Sequence, residues 1–356
     1  MTTSNGNAQA IENERSKAGF VFTEAISPGV DMYMDLKRIY VSTHSEFQKI
    51  SIIETVFGKT LVTDGKTQSS QIDEHIYHES LVHPSLIKAG LNGHKNQLPK
   101  TVFIGGGGEL ATAREVLRHK SVEKVVMVDL DGKVVEVCKE YLEEWGGEIV
   151  ASNPRLELII GDAYAYLINC KDALFDVIIM DISDPIEAGP GIMLYTQEFY
   201  QHARTLLKPN GVFVTQAGTA EVICTQAIAP GAYNDYTCHA PIKNTLETVF
   251  NCVLPYSVNI PSYGSDWGFV MAYDSSNPED ENDDYVNIDP SIIDNVVDSC
   301  IGDFKDIQSN AKNGNDLLKY YDGISHSRMF HLPKPIRQRM VKDERVMTRD
   351  NPVFMY

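Results

Sequence analysis

Two aspartates stand three residues apart at the end of an apolar run in VIIMDISDP, residues 177–185. The four apolar residues read as a buried strand and Pro185 closes the segment, which puts Asp181 and Asp184 at a strand's mouth. An amine is protonated at neutral pH. Transferring an alkyl group onto it needs a base, and a polycationic substrate needs further negative charge, so the two carboxylates can divide deprotonation and cation holding between them. The competing reading is turn chemistry, in which Ser183-Asp184-Pro185 only shapes or caps the chain.

Acids recur after the other apolar runs. GGGGE (Gly105 to Glu109) follows TVFI, Asp129 and Asp131 follow KVVMV, and Gly161-Asp162-Ala163 follows LELII. The glycines allow close approach of a ligand to the backbone and open a helix with free amides. Gly106-x-Gly108-x-x-Ala111 fits a dinucleotide fingerprint, so Asp129 could hold the ribose of NAD or of another adenosyl group. Asp162 stands where it can accept an adenine's exocyclic amine, and two acids gripping one nucleoside suit an S-adenosyl compound. Glu109 then separates two such compounds. The carboxylate of S-adenosylmethionine would be repelled there, whereas decarboxylated S-adenosylmethionine offers an ammonium that an acid attracts. Glutamate in a helix's first turn also suits the helix dipole.

Residues at the ends of several strands act together only if the strands lie side by side. From Thr101 the chain alternates strand and helix patterns: TVFI, ELATAREVLRH, KVVMVDL, KVVEVCKEYLEEW, LELIIGDA, AYLINC, FDVIIMDI and GVFVTQAG. CVLPYSVNIP and DWGFVMAYD add a closing antiparallel pair. The pattern predicts an α/β, Rossmann-like, doubly wound sheet of seven mostly parallel strands, with ligands at the strands' carboxyl ends. Residues 31–70 alternate in period two around Phe57-Gly58-Lys59 and Asp64-Gly65, predicting a small N-terminal antiparallel sheet. QIDEHIYHESLVHPSLI has helical spacing, with a local break expected at Pro84. The organisation expected is a disordered tail over 1–18, an N-terminal β domain with linking helix over 19–98, a catalytic domain over 99–345 and a C-terminal tail over 346–356.

With 356 residues, 43% of them hydrophobic, the chain can bury a full core. No run of eighteen apolar residues occurs, and the polar start, MTTSNGNAQAIENERSKA, fits a cytoplasmic protein without a membrane partner. A net charge of −18 opposes nucleic acid and suits a cationic ligand. The six cysteines form no CxxC pair. His75, His78 and His83 with Glu79 match no zinc signature, so no metal is expected.

The glycine run with its acid, Asp129, GDA and D-x-S-D-P, in this order, resemble the spermidine synthase family of aminopropyltransferases. The resemblance runs from about Phe47 through YGSDWGFVMA (263–272) to LKYYDGISHSRMFHLP (318–333). DGKTQSSQIDEHIYHE (64–79) and VTQAG (214–218) are more similar to thermospermine synthases than to putrescine-using members. It implies an N-terminal β domain on a class I methyltransferase-like catalytic domain, assembled as a homodimer or homotetramer. Decarboxylated S-adenosylmethionine would be a co-substrate, with no prosthetic group. Gln48, Gly105, Gly107, Glu109, Asp129, Asp162 and Ala163 would contact it or its product, methylthioadenosine. Tyr77, Asp181, Asp184 and Tyr263 would line the amine channel, with Asp181 as proton acceptor. His78 stands where spermidine-making members carry glutamine, and as a neutral imidazole it could accept a hydrogen bond from an amine. Glu79, His78 and Gln216 could supply the extra acceptors that spermidine needs. Residues 219–243 are longer than the family's usual link, which suggests a loop insertion. The alternatives are another amine acceptor, a class I methyltransferase, or a non-catalytic polyamine-binding protein.

Overall fold

The computed structural model describes residues 19–27, 29–92, 98–171, 174–185, 191–221, 237–275, 285–303 and 314–355. The 1–18 tail, most of the acidic loop NPEDENDDY and most of the suggested insertion at 219–243 lie outside them.

The sequence first builds β1 (Val21–Ser27) and β2 (Val30–Asp35), then β3 (Arg38–His44), β4 (Lys49–Thr55), β5 (Gly58–Thr63) and β6 (Lys66–Ser70). These form two antiparallel sheets, β1-β2 and β3-β4-β5-β6, where the sequence suggested one. The long helix Glu74–Asn92 then leads to β7 (Thr101–Gly106), β8 (Lys124–Asp129), β9 (Leu156–Ile160), β10 (Phe175–Asp181), β11 (Leu207–Thr219), β12 (Cys252–Ile260) and β13 (Ser265–Tyr273). The second set makes one seven-stranded sheet in the order β12-β13-β11-β10-β7-β8-β9. Pairing is parallel from β11 across to β9 and antiparallel at β13 and β12. The Rossmann-like α/β class is therefore correct.

Alternation along the central strands sorts side chains onto two cores. Val102, Ile104, Val177 and Ile179 face one side, while Phe103, Ile178 and Met180 face the other. Burial on both faces explains why these strands read as continuous apolar runs. From β7 the chain winds outward to β8 and β9, then returns to β10 on β7's other flank. A crevice opens where the winding reverses. There β7 and β10 are in register, with Met180 opposite Gly105 and Asp181 opposite Gly106.

The helix Glu74–Asn92 runs unbroken through Pro84, contrary to the expected break. Proline removes the amide that would have bonded the Ser80 carbonyl. Tyr256 from β12 replaces it, donating its hydroxyl to that carbonyl at 3.0 Å. The N-terminal sheet docks through Ile50, Ile52 and Leu61 onto Val134, Val137 and Trp145. Trp145 Nε1 donates to Ser69 Oγ at 3.0 Å. Residues 346–355, set apart as a tail on sequence grounds, pack on the catalytic unit, with Met347 fully buried.

Candidate active site

The mouth of β10 carries Asp181, and its carboxylate is held from two directions. Tyr77 Oη, from the helix Glu74–Asn92, donates to Oδ1 at 2.6 Å. Thr112 Oγ1, in the first turn of the helix Ala111–Arg118, donates to Oδ2 at 2.5 Å. Gly106, at φ +82°, lets the glycine loop fold against this strand end, since a Cβ there would overlap the Asp181 carbonyl. Gly107 N–H donates to that same carbonyl at 3.0 Å. Gly105 lies within β7, where its missing side chain makes room for Met180.

Glu109 approaches from the end of the glycine loop and accepts from His78 Nε2 at 3.1 Å. His78 Nδ1 lies 2.9 Å from Glu74 Oε2, one helical turn back. Both ring nitrogens thus face acceptors, Nδ1 also lying 2.6 Å from the Glu74 carbonyl, a setting that favours a doubly donating imidazolium. Burial opposes that charge, but the hydrogen bonds to Glu109 and Glu74 prevail and push its pKa up to about 10. This setting runs against the neutral, amine-accepting histidine expected from sequence. Beneath it, burial would raise Glu74, yet Arg114 and His78 pull it down to about 2. Arg114 donates to Glu74 at 2.8 and 3.1 Å.

His78, Glu109 and Asp181 bring ligand-type atoms within 4.8 Å of one another. With both nitrogens of His78 turned to acceptors, Glu109 and Asp181 are the members of this set that can accept hydrogen bonds from an ammonium. His83 turns instead to His119 at 3.0 Å and Glu115 at 3.2 Å, so the three helix histidines do not converge. Burial first, then the like charge of Glu109, raises Asp181 to about 6.

Asp184 lies farther along the same loop. Gln216 Nε2 donates to its Oδ1 at 3.0 Å and to the Ile182 carbonyl at 2.8 Å, while Gln216 Oε1 accepts from Gly218 N–H at 2.8 Å. Gln216 therefore orients Asp184. Tyr195 stands 2.8 Å from the same amide nitrogen. Burial raises Asp184 to about 6 against the Gln216 hydrogen bond. Among the described residues, the side chains of Asp181 and Asp184 accept from Tyr77, Thr112 and Gln216 and not from a following backbone amide, as a helix or turn cap would. Tyr263 packs edge-on against Tyr77, with ring centroids 6.2 Å apart, and its hydroxyl donates to the Gln68 carbonyl.

On the β8 side, burial raises Asp129 to about 6, against a hydrogen bond from Asp131 N–H. Gly108 sits so close to it that a Cβ would lie 2.9 Å from Asp129 Oδ2. Gln48 is brought over from the N-terminal sheet, and its Nε2 donates to Asp131 at 3.0 Å. Asp162 caps the helix Ala163–Asn169 by accepting from Tyr164 N–H at 2.8 Å, and Ala163 is buried beside it. Glu79 does not join the cluster. Its oxygens accept the backbone N–H groups of Lys319, Tyr320 and Tyr321 at 2.8–2.9 Å, which corrects its assignment to the amine channel. Thr112, Glu74, Arg114 and Tyr195 were not singled out from sequence. The Glu74-x-x-x-His78 spacing and a threonine just after the glycine run were the available signals.

Comparison with known proteins follows the same outline. Residues 74–284 match the spermine/spermidine synthase domain, and residues 20–71 match the spermidine synthase tetramerisation domain. Polyamine aminopropyltransferase 2 of Hyperthermus butylicus is 39% identical over 93% of this chain and 96% of its own. Thermospermine synthase ACAULIS5 of Arabidopsis thaliana is 42% identical over 71% of this chain and 69% of its own. A spermidine synthase solved in complex with the transition state analogue AdoDATO superposes with a TM-score of 0.71 and 28% identity, covering 91% of this chain and 96% of that one. The chain belongs to the spermine/spermidine synthase family.

Proposed function

We propose that this member of the spermine/spermidine synthase family moves the aminopropyl group of decarboxylated S-adenosylmethionine onto spermidine, giving thermospermine and methylthioadenosine. The observation that carries the transfer chemistry is Asp181, raised to about 6 and held between Tyr77 and Thr112 beside Glu109. Such a carboxyl is mostly ionised at pH 7 yet basic enough to take a proton. The amine nitrogen attacks the carbon next to the sulfonium, the C–S bond breaks, and methylthioadenosine leaves with the bonding pair. The proton lost by the amine passes to Asp181. Sulfonium is already a good leaving group, so the residues' work is positioning and deprotonation.

Glu109 receives the ammonium of the decarboxylated co-substrate, and Asp129, Asp162 and Gln48 border the nucleoside end. Asp184, oriented by Gln216, holds a distal ammonium of the acceptor. A methyltransferase would use the same fold but would set the carboxylate of its cofactor against Glu109. The match of residues 20–71 to a tetramerisation domain supports a homo-oligomer. For spermidine as the acceptor, the support is the likeness to the Arabidopsis thermospermine synthase and the paired acids along the channel.

The test is chromatography of the products formed from decarboxylated S-adenosylmethionine with putrescine, spermidine or spermine. A thermospermine peak from spermidine, resolved from its isomer spermine, is expected. Conversion of putrescine with spermidine ignored overturns the acceptor assignment, and no release of methylthioadenosine with any amine overturns the transfer itself.

A further inference from the structure

Residues 343–355, beyond the helix Lys334–Lys342, form a strap that runs from Tyr164, next to Asp162 and Ala163, to Pro185, next to Asp184. Met347 N–H donates to Thr245 Oγ1 at 2.8 Å, and its carbonyl accepts from Gln197 N–H at 2.8 Å. Arg349 Nη2 donates to Tyr164 Oη at 2.6 Å, beside Asp162 and Ala163. Val353 is buried, and Met355 N–H donates to the Pro185 carbonyl at 2.8 Å, one residue past Asp184.

The strap's end fills a notch left by a glycine. Gly218 has φ +68°, and a Cβ built on it would lie 2.5 Å from Met355 Sδ and 3.3 Å from Asp184 Oδ1. The thioether and the carboxylate therefore border the same small space. Gly218 is also the residue whose amide fixes Gln216, the donor to Asp184. An amine chain extending past Asp184 meets a methionine side chain that offers an ammonium no strong acceptor.

We propose that Met355 is a specificity-determining residue that closes the acceptor end of the site beyond Asp184 and limits how long a polyamine can extend there. The proposal rests on the aminopropyl-transfer reading above. A second ammonium placed against the thioether would be desolvated without a partner, so longer amines are disfavoured while those ending at Asp184 are accepted.

The test compares wild type, Met355→Ala, Met355→Gln and Met355→Leu as full chains. Each is assayed with a diamine, a triamine and a tetraamine at saturating decarboxylated S-adenosylmethionine. Met355→Ala should raise kcat/KM for the tetraamine relative to spermidine about tenfold or more, the scale of a methylene-sized change in a pocket. Met355→Gln, which keeps the length and adds an acceptor, should move the ratio the same way. Met355→Leu should keep the wild-type preference, and KM for the co-substrate should hold throughout. Unchanged ratios, or equal losses for every amine in folded Met355→Gln, would overturn the assignment. Wild type that uses no amine at all would sink the transfer reading instead.

Discussion

Replacing Glu109 by glutamine removes one charge at nearly constant shape, and its consequences can be worked out at two neighbours. Glu109 and Asp181 bring oxygens within 4.8 Å of each other. Two like charges at that separation repel by about 3.5 kcal/mol at an effective dielectric constant of about 20. The His78 imidazolium lies within the same distance of both and cancels much of this. Burial, moreover, is the larger cause of the rise of Asp181 to about 6. In Glu109→Gln the Asp181 carboxyl should therefore fall by about one unit, without returning to its ordinary value. The acid limb of kcat/KM, which reports the free enzyme, should move down in pH by the same amount. Cofactor choice supplies the second readout. The variant loses attraction for an ammonium and repulsion of a carboxylate, so the preference for decarboxylated over carboxylated S-adenosylmethionine should narrow at least tenfold by calorimetry, about 1.4 kcal/mol. An acid limb that stays in place while the cofactor preference also holds would refute the placement of Glu109 between base and ammonium.

Asp181→Asn should lower kcat by about 100-fold or more while leaving methylthioadenosine binding nearly intact, and near-normal turnover would move the base elsewhere. Asp184→Asn should raise KM for the amine more than it lowers kcat. The same variant should also be more stable at pH 7.5. A carboxyl at about 6 in the folded chain and 3.8 ordinarily stabilises the fold in acid and loses that contribution as pH rises through 6. The gain should be about 1 to 3 kcal/mol at pH 7.5 and absent near pH 3, read by denaturant titration; equal gains at both pH values would count against a charge origin. His78→Gln should destabilise the fold most below pH 6.5 and progressively less as pH rises through about 10, where wild-type His78 loses its own proton. A pH-independent loss would mean that packing, not charge, was removed.

Much of the site was legible because it obeys a topological rule: in a doubly wound sheet, ligands meet the carboxyl ends of strands where the winding reverses. Asp181, Glu109 and Asp129 were readable from their places after apolar runs, before any contact was known. Contacts with residues distant in sequence were not readable. Glu79 is one position from His78 and looked equally available, but its oxygens are filled by backbone amides about 240 residues away. Met355 carries no local signal at all, since its meaning comes from a glycine notch 137 positions earlier. The charge state of His78 depended on two glutamates, one of them a turn away in the same helix and therefore readable in principle.

The buried acids divide by what answers their charge. Glu74 and Glu115 have arginines against them and are pulled down despite burial. Glu79 and Asp73 are raised by burial, but their oxygens are occupied by donors of the chain itself, backbone amides of 319–321 and the Ser262 N–H and hydroxyl. Asp129, Asp181 and Asp184 also accept from neutral donors of the chain, and burial outweighs those bonds, together with the charges of His78 near Asp181 and Lys66 near Asp184, to raise all three to about 6. A fold that desolvates three carboxylates at neutral pH loses stability by doing so, and a cationic ligand restores it by supplying the missing countercharge. The net charge of −18 only suggested a cation. In the proposed transfer, the line of acids from Asp129 through Asp181 to Asp184 is where the positive centres would go: a sulfonium nucleoside with its ammonium at one end and a polyamine at the other, meeting at Asp181.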